Sequence, residues 1–565
     1  MSNKWMEETL AGLTVEEKVG QLLMVAFFNL PAERLTVFDS ILKYKLGGIF
    51  QPNSTRDIIA GALEEIQSKV KIPLLVGCDY EGGAGWSVEG GLRIPRSMAR
   101  GSEGDIKQEY EIGSIISKQG RAIGSIVTFS PVVDLNTHHQ NPDVNVRAYG
   151  EDAETVERLA IPYIKGLQDN GMLACVKHFP GNGGTDMDQH ICPAVIPQSA
   201  EEMREAYLKP YKRCFEEANP AAVMVAHLEV PSLVTEINPE NGRPVPASLS
   251  YEIITGLLRK EMGFKGMVIT DALNMGGVTA HYTRGEVAVK AIQAGADMLL
   301  VFNADFELEY EAVLSAVRSG EISTERLDEA VGNVLTAKSK AGLDKDRGIP
   351  APFEVREGYF KAGMYDSICE NIARKGITVL RNNENVLPIR DIKGKRVAVL
   401  STFSPDEETL STQGQALNAM KDTTPVLLRE RGAIVDTFEM KHYMDNSLIH
   451  DILFKLREYD YIFYNFFIVP SWGIGTLIPN KSALRLFMYG ILTIEKPVII
   501  TAFGSPYVIY YCPTAKVYMC TFDETENTQR AAVRAWLGEA PVTGRSPVGL
   551  TGIFKKGDGM DIPLK

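Results

Sequence analysis

Short runs of apolar, β-branched-rich residues recur through the first 300 positions: Leu22–Phe27, Gly47–Phe50, Leu74–Cys78, Ile126–Phe129, Leu173–Val176, Ala222–Ala226, Met267–Thr270 and Met298–Val301. Most of the segments between them carry helical spacing. In Ala153–Gln168, for example, apolar residues fall at Val156, Leu159, Ala160, Tyr163 and Ile164, along one face of a helix. Continuous apolar strands alternating with helices predict a parallel sheet. Eight such runs fit a closed (β/α)8, TIM-like barrel better than an open sheet. The first gap is short enough to allow a missing or reversed strand.

After Lys338 the helical pattern gives way to SKAGLDKDRGIPAPFEV, rich in Gly, Pro and charge, which predicts a linker. A second alternating pattern follows. Arg396–Ser401, Tyr459–Asn465, Pro497–Phe503 and Lys516–Phe522 predict strands, with helical segments such as Ala531–Leu537 between or after them. The expected organisation is a barrel over 1–338, a linker over 339–366 and a second α/β domain over 367–565. A chain of 565 residues is too long for one ordinary core, which agrees with two domains.

Polar residues collect just after the predicted barrel strands. Cys78 is followed by Asp79 and Glu81, Phe129 by Asp134, and Val176 by Lys177 and His178. Ala226 is followed by His227, Thr270 by Asp271, and Val301 by Asn303. One such residue is ordinarily a turn or a cap. Six strands ending this way predict a site, because carboxyl-terminal strand ends of a barrel open on one face.

The densest polar segment is Lys177–His190, KHFPGNGGTDMDQH. Pro180 and the glycines at 181, 183 and 184 mark a loop, and the loop ends in Asp188-Gln189-His190. A carboxylate two positions before a histidine folds back readily onto one ring nitrogen, which sets the tautomer and raises the basicity of the other. That suits His190 to acid/base work, with Asp188 as its holder. A surface loop with an ordinary D-x-H remains the plainer alternative. Asp271, in GMVITDALNM, is placed either to attack an anomeric carbon or to cap the helix that follows. Asp79, Arg147, Lys177 and His178 suit the holding of sugar hydroxyls, each charged hydrogen bond being worth about 1.5–3 kcal/mol. No HExxH or comparable spacing links the histidines, so no metal and no cofactor is expected.

Composition narrows the classes without choosing among them. A net charge of -13 opposes nucleic-acid binding. The longest apolar runs, such as 22–28, are far too short to span a bilayer. No signal-peptide pattern is visible near the N-terminus, and seven scattered cysteines without a CxxC pair suggest neither disulfides nor a zinc ribbon. The expected location is the cytoplasm.

These segments resemble glycoside hydrolase family 3, and specifically its β-N-acetylglucosaminidase branch. LTVEEKVGQLLMV (Leu13–Val25) is similar to the family's opening helix and strand, and Asp79-Tyr80-Glu81-Gly82-Gly83 to its sugar-binding D-x-E-G-G turn. Ser130–Asp134 resembles its S/A-P-x-x-D segment. Asn141–Asp152 resembles the stretch that puts an arginine, here Arg147, on the substrate. KHFPGNGGTDMDQH resembles the branch-specific loop, and Val268–Met275 the nucleophile segment. Ser367–Ile389 and Pro541–Leu550 resemble the entry to, and the close of, a C-terminal α/β sandwich domain.

The resemblance implies Asp271 as nucleophile and His190 as acid/base held by Asp188. Asp134, His227 and Met275 join Asp79, Arg147, Lys177 and His178 as candidate substrate contacts. Three departures stand out. Asn182 replaces the loop's middle histidine, Gln189 replaces the serine before the catalytic histidine, and EGGAGWSVEGG (Glu81–Gly91) lacks the usual arginines. The last bears on the aglycone, and with it on cell-wall recycling.

The implied function is a retaining β-N-acetylhexosaminidase without cofactor. Its expected partner is a small oligosaccharide, an amino-sugar glycoside or a muropeptide fragment, with neither nucleic acid nor membrane. Phosphorolysis of the same glycosides is an alternative, because a histidine leaves less negative charge than a glutamate where phosphate would enter. A β-glucosidase of the same family and a catalytically silent sugar-binding protein are the others.

Overall fold

The computed structural model describes residues 3–26, 30–303, 305–404, 420–473 and 475–565, the side chains of 30–36 excepted. It is an α/β structure of two compact units. The first comprises 1–92, 106–135 and 156–362, and the second 93–105, 136–155 and 363–565.

In the first unit, eight parallel strands close into a barrel. They are β1 (Leu23–Ala26), β2 (Gly48–Phe50), β3 (Leu75–Cys78), β4 (Val127–Thr128), β5 (Leu173–Phe179), β6 (Ala222–Val225), β7 (Met267–Ala272) and β8 (Met298–Val301). Each pairs with its sequence neighbours, and β1 closes on β8 with Met24 opposite Leu300. All eight predicted runs are therefore strands. The first pair is neither missing nor reversed, since β1 and β2 run parallel with the helix Leu30–Tyr44 between them. Phe27, which ends the first predicted run, lies outside the described residues. Strands buried on both faces must be apolar throughout, which is why they show as continuous runs and not as alternation. The helix Ala153–Asp169 buries Val156, Leu159, Ala160, Tyr163 and Ile164 completely, as its spacing predicts.

The stretch after Lys338 folds within the first unit. Two short helices, Leu343–Asp346 and Phe353–Tyr359, interrupt it, and the Arg347 guanidinium donates to the main-chain oxygens of Gln67 and Val70.

Lys338 itself is fully buried on the helix Thr324–Lys340, where it donates to Gln21 Oε1 at 2.6 Å. Burial pushes its ammonium down from the ordinary 10.5 to about 7. Below that pH both folded and unfolded chains carry the charge, and the fold bears its full desolvation. Between about pH 7 and 10 the unfolded chain binds the extra proton, so stability rises with pH. Lys338→Met is expected to stabilise the barrel at pH 6, less about 1 kcal/mol for the lost hydrogen bond. Its advantage should shrink by about 2–3 kcal/mol by pH 9. Urea unfolding at the two pH values measures this, and an advantage independent of pH contradicts it.

The second unit is built on a mixed six-stranded sheet: β9 (Thr378–Asn382), β10 (Arg396–Phe403), β11 (Ile434–Glu439), β12 (Tyr461–Ile468), β13 (Val498–Gly504) and β14 (Val517–Cys520). The order is β9-β14-β13-β12-β10-β11, with β9 alone antiparallel to its neighbour. Alternate residues enter separate cores on the two faces. Val397, Val399, Phe463 and Phe467 lie on one side, and Ala398, Leu400, Tyr464 and Phe466 on the other. Residues 93–105 are tied into this unit by Arg96, whose guanidinium forks onto the buried Glu524 at 2.7 and 2.8 Å.

Candidate active site

Two of the barrel's ladders are irregular, and each irregularity coincides with candidate chemistry. The pairing of β5 with β6 shifts between Val176 and Phe179, around Lys177 and His178. The pairing of β7 with β8 shifts between Ile269 and Ala272, around Asp271. A break of this kind re-aims the side chains it carries.

Lys177 is buried and bridges two carboxylates, Asp79 Oδ1 at 2.8 Å and Glu81 Oε1 at 2.7 Å. Of the three, Asp79 alone is substantially open, with 39% of its side chain exposed. His178 donates from Nδ1 to Asp134 Oδ2 at 2.7 Å. Asp134 also accepts the main-chain N–H groups of His178 and Asn182, and it is enclosed. A buried carboxylate needs donors, and this one finds them in the loop that begins at Lys177, whose start it shapes.

That loop carries Asp188 and His190. Asp188 Oδ1 accepts the His190 main-chain N–H at 2.9 Å and its Nδ1–H at 2.7 Å, so the two-residue spacing closes a tight turn. The Asp188 side chain is buried, while 22% of the His190 side chain is exposed. One ring nitrogen is therefore fixed as donor, which leaves Nε2 as the exchangeable position.

The loop rests on the segment after Asp271. The main-chain oxygens of Gln189 and His190 accept the N–H groups of Gly277 and Gly276, both at 2.9 Å. A Cβ on Gly276 would lie 2.4 Å from the Ile191 carbonyl carbon, and one on Gly277 would lie 2.6 Å from the His227 oxygen. These glycines allow backbone to pass backbone. Gly276→Ala and Gly277→Ala are each expected to cost about 1–3 kcal/mol, because no flexible side chain can yield. A lower midpoint for barrel unfolding checks this.

Asp271 lies at the end of β7, half-buried. Its Oδ1 accepts the Ala272 N–H at 2.8 Å, and Gln189 Nε2 lies 3.4 Å from its Oδ2. His227 is buried with both ring nitrogens engaged: Nε2–H donates to the Ala272 oxygen at 3.0 Å, and Nδ1 accepts from Ser248 Oγ at 2.7 Å. Burial pushes its pKa down, against the pull of the nearby Asp271 and of the Ala272 carbonyl, which fixes Nε2 as the donor. Met275 is buried at the N-cap of the short helix Gly276–Thr279.

Arg147 belongs to the second unit, where it donates to Asp143 Oδ1 at 2.5 Å and to the Asp143 main-chain oxygen at 2.9 Å. The structure thus joins Asp79 with Lys177, His178 with Asp134, and Asp188 with His190. It draws Asp271 and His227 together through Gln189. Ser248 and the glycine pair are partners that sequence reasoning did not assign, Glu81 stood there among the strand-end polar groups and in the D-x-E-G-G turn, and Gln189 carried a signal only as a departure from the family loop. The arginine-free segment turns through the 3-10 helix Ala84–Trp86, with the Trp86 indole against Gly82. Among the described residues, no three His, Cys, Asp or Glu side chains converge in a group able to hold a metal. Nor is any helix among them long and apolar enough to cross a membrane.

Comparison with known proteins agrees with the barrel. The glycosyl hydrolase family 3 N-terminal domain matches residues 14–337. A β-N-acetylglucosaminidase/β-glucosidase of Cellulomonas fimi is 27% identical over 554 residues, covering 96% of this chain and 95% of that protein. Among solved structures, a β-glucoside phosphorylase, BglX, bound to 2FGlc superposes with a TM-score of 0.84 at 27% identity, over 97% of both chains. A family 3 β-N-acetylglucosaminidase from Paenibacillus sp. str. FPU-7 superposes with a TM-score of 0.81 at 29% identity, over 96% of this chain and 99% of the other. The chain belongs to glycoside hydrolase family 3.

Proposed function

We propose that the chain is a retaining β-N-acetylhexosaminidase that removes terminal β-linked N-acetylglucosamine or a related acetamido sugar. The observation that carries this reading is the Asp188–His190 pair, closed at 2.7 Å on a loop seated against the strand end that holds Asp271. In the first step an Asp271 carboxylate oxygen bonds to the anomeric carbon. The bond to the aglycone oxygen breaks, and that oxygen takes the proton from His190 Nε2. Water then adds to the same carbon, gives a proton to Nε2 and displaces Asp271, so configuration is retained. Asp188 holds Nδ1–H throughout and stabilises the imidazolium. Asp79, partly exposed and fixed by Lys177, suits the sugar's hydroxyls, and His178 is assigned to the same sugar on the strength of the family resemblance. Asp134, His227 and Met275 act from behind, through the loop and the strand ends. Trp86 in place of arginines favours a neutral glycoside over an acidic muropeptide. Seven unpaired cysteines fit a reducing compartment, the cytoplasm.

A second reading has its own support: the likeness to a β-glucoside phosphorylase extends over 97% of both chains. With a histidine as base, phosphate in place of water would release the sugar 1-phosphate. Nitrophenol release from the β-N-acetylglucosaminide and the β-glucoside, each with and without phosphate, decides. Turnover of the acetamido sugar, unaffected by phosphate, is the expected result. Phosphate stimulation with sugar 1-phosphate as product transfers the assignment to phosphorolysis, and preference for the glucoside removes the acetamido assignment.

A further inference from the structure

Gln189 lies between the two members of the acid/base pair in sequence, yet neither of their roles uses it. Its side chain is fully buried. Its Oε1 accepts the His227 main-chain N–H at 2.8 Å, and its Nε2 points to Asp271 Oδ2 at 3.4 Å. Its main-chain oxygen takes the Gly277 N–H. Three barrel strands therefore meet at one residue: β5 through the loop, β6 through His227 and β7 through Asp271. We infer that Gln189 is a positioning residue that ties the His190 loop to the Asp271 carboxylate, so that acid/base and nucleophile keep a single separation. The inference rests on the roles just proposed for those two residues.

The chemistry of the position calls for an amide. A main-chain N–H only donates, so the oxygen of Gln189 must face His227, and its NH2 is thereby turned toward the carboxylate. Glutamate would satisfy His227 and set a second anion against Asp271. Methionine would fill the same length with no hydrogen bond at either end. Serine, which the family loop carries here, is too short to span both partners.

The contact to Oδ2 is long, so the firm anchor is the bond to His227. Asp271 is left with one oxygen held at 2.8 Å by Ala272 and the other only loosely held, and the second is the one suited to attack. Two titratable groups feel the Asp271 charge, the neutral His227 after β6 and the buried Cys175 thiol on β5; His190 acts on the same His227, and Lys177 and Asp79 on the same Cys175.

The test uses Gln189→Met and Gln189→Glu in the full chain, on whichever nitrophenyl glycoside the wild type turns over, with Asp271→Ala alongside. Gln189→Met is expected to lower kcat about 10-fold with KM within about twofold, since small misplacements of reacting groups act on rate. Gln189→Glu is expected to move the acidic limb of kcat/KM upward by about one pH unit, because two adjacent carboxylates oppose each other's ionisation. If Gln189→Met does not fold, the limb of Gln189→Glu carries the test alone. Wild-type kcat and an unmoved acidic limb overturn the inference. An active Asp271→Ala strikes instead at the nucleophile assignment, and the inference falls with it.

Discussion

Asp271→Ala is expected to lower kcat on the acetamido glycoside by about 10⁴-fold or more, with the fold intact. The loss is large because no other group takes over. Asp271 stands at the irregularity where β7 departs from β8, and the side chain that reaches its Oδ2 is the neutral amide of Gln189 at 3.4 Å. Without a carboxylate the oxocarbenium-like transition state loses both its bond-forming partner and its countercharge, and about 10⁴-fold corresponds to roughly 5–6 kcal/mol. Thermal stability should scarcely change, because the side chain is half-buried and its one short hydrogen bond is to the adjacent main chain. Steady-state kinetics with an intact circular dichroism spectrum checks both parts. A residual rate within about 100-fold of wild type assigns the attack to another group or to the substrate's own acetamide.

The second large effect is expected at His190, and its signature is dependence on the leaving group. His190→Ala should lower kcat/KM by about 10³–10⁴-fold on an alkyl or sugar aglycone, which must be protonated as it departs. On dinitrophenyl glycosides the loss in the first step should be slight, since that phenolate leaves unaided. Asp188→Ala should follow the same pattern at smaller size, because it frees Nδ1–H and its main-chain partner without removing the imidazole. It should also shift the basic limb of the pH profile downward, as an imidazolium without its carboxylate gives up its proton more readily. Equal losses on good and poor leaving groups would mean that His190 binds the sugar and does not move the proton.

The departures from the family loop gain meaning from these contacts. Asn182 donates its main-chain N–H to Asp134, a bond that any residue but proline supplies. Gln189 uses its side chain, and there the identity of the residue matters.

The one-dimensional pattern by itself determined the barrel, because a strand buried on both faces and a helix buried on one leave local signatures of different period. It also offered the Asp188–His190 pair, since residues two apart can meet whatever the rest of the chain does, with an ordinary surface loop as the alternative. Only the tertiary structure decided which polar groups share a partner. Lys177 meets Asp79 and Glu81 across nearly a hundred residues, and Gln189 reaches His227 and Asp271, contacts that exist once the barrel has closed. It also decided that 93–105 and 136–155, Arg147 among them, belong to the second compact unit although they interrupt the barrel in sequence. The reason is physical: periodicity reports which face of an element is buried, whereas a buried carboxylate, amide or imidazole acquires its role from the donor or acceptor that satisfies it. Those partners come from distant strands, and no local pattern encodes them.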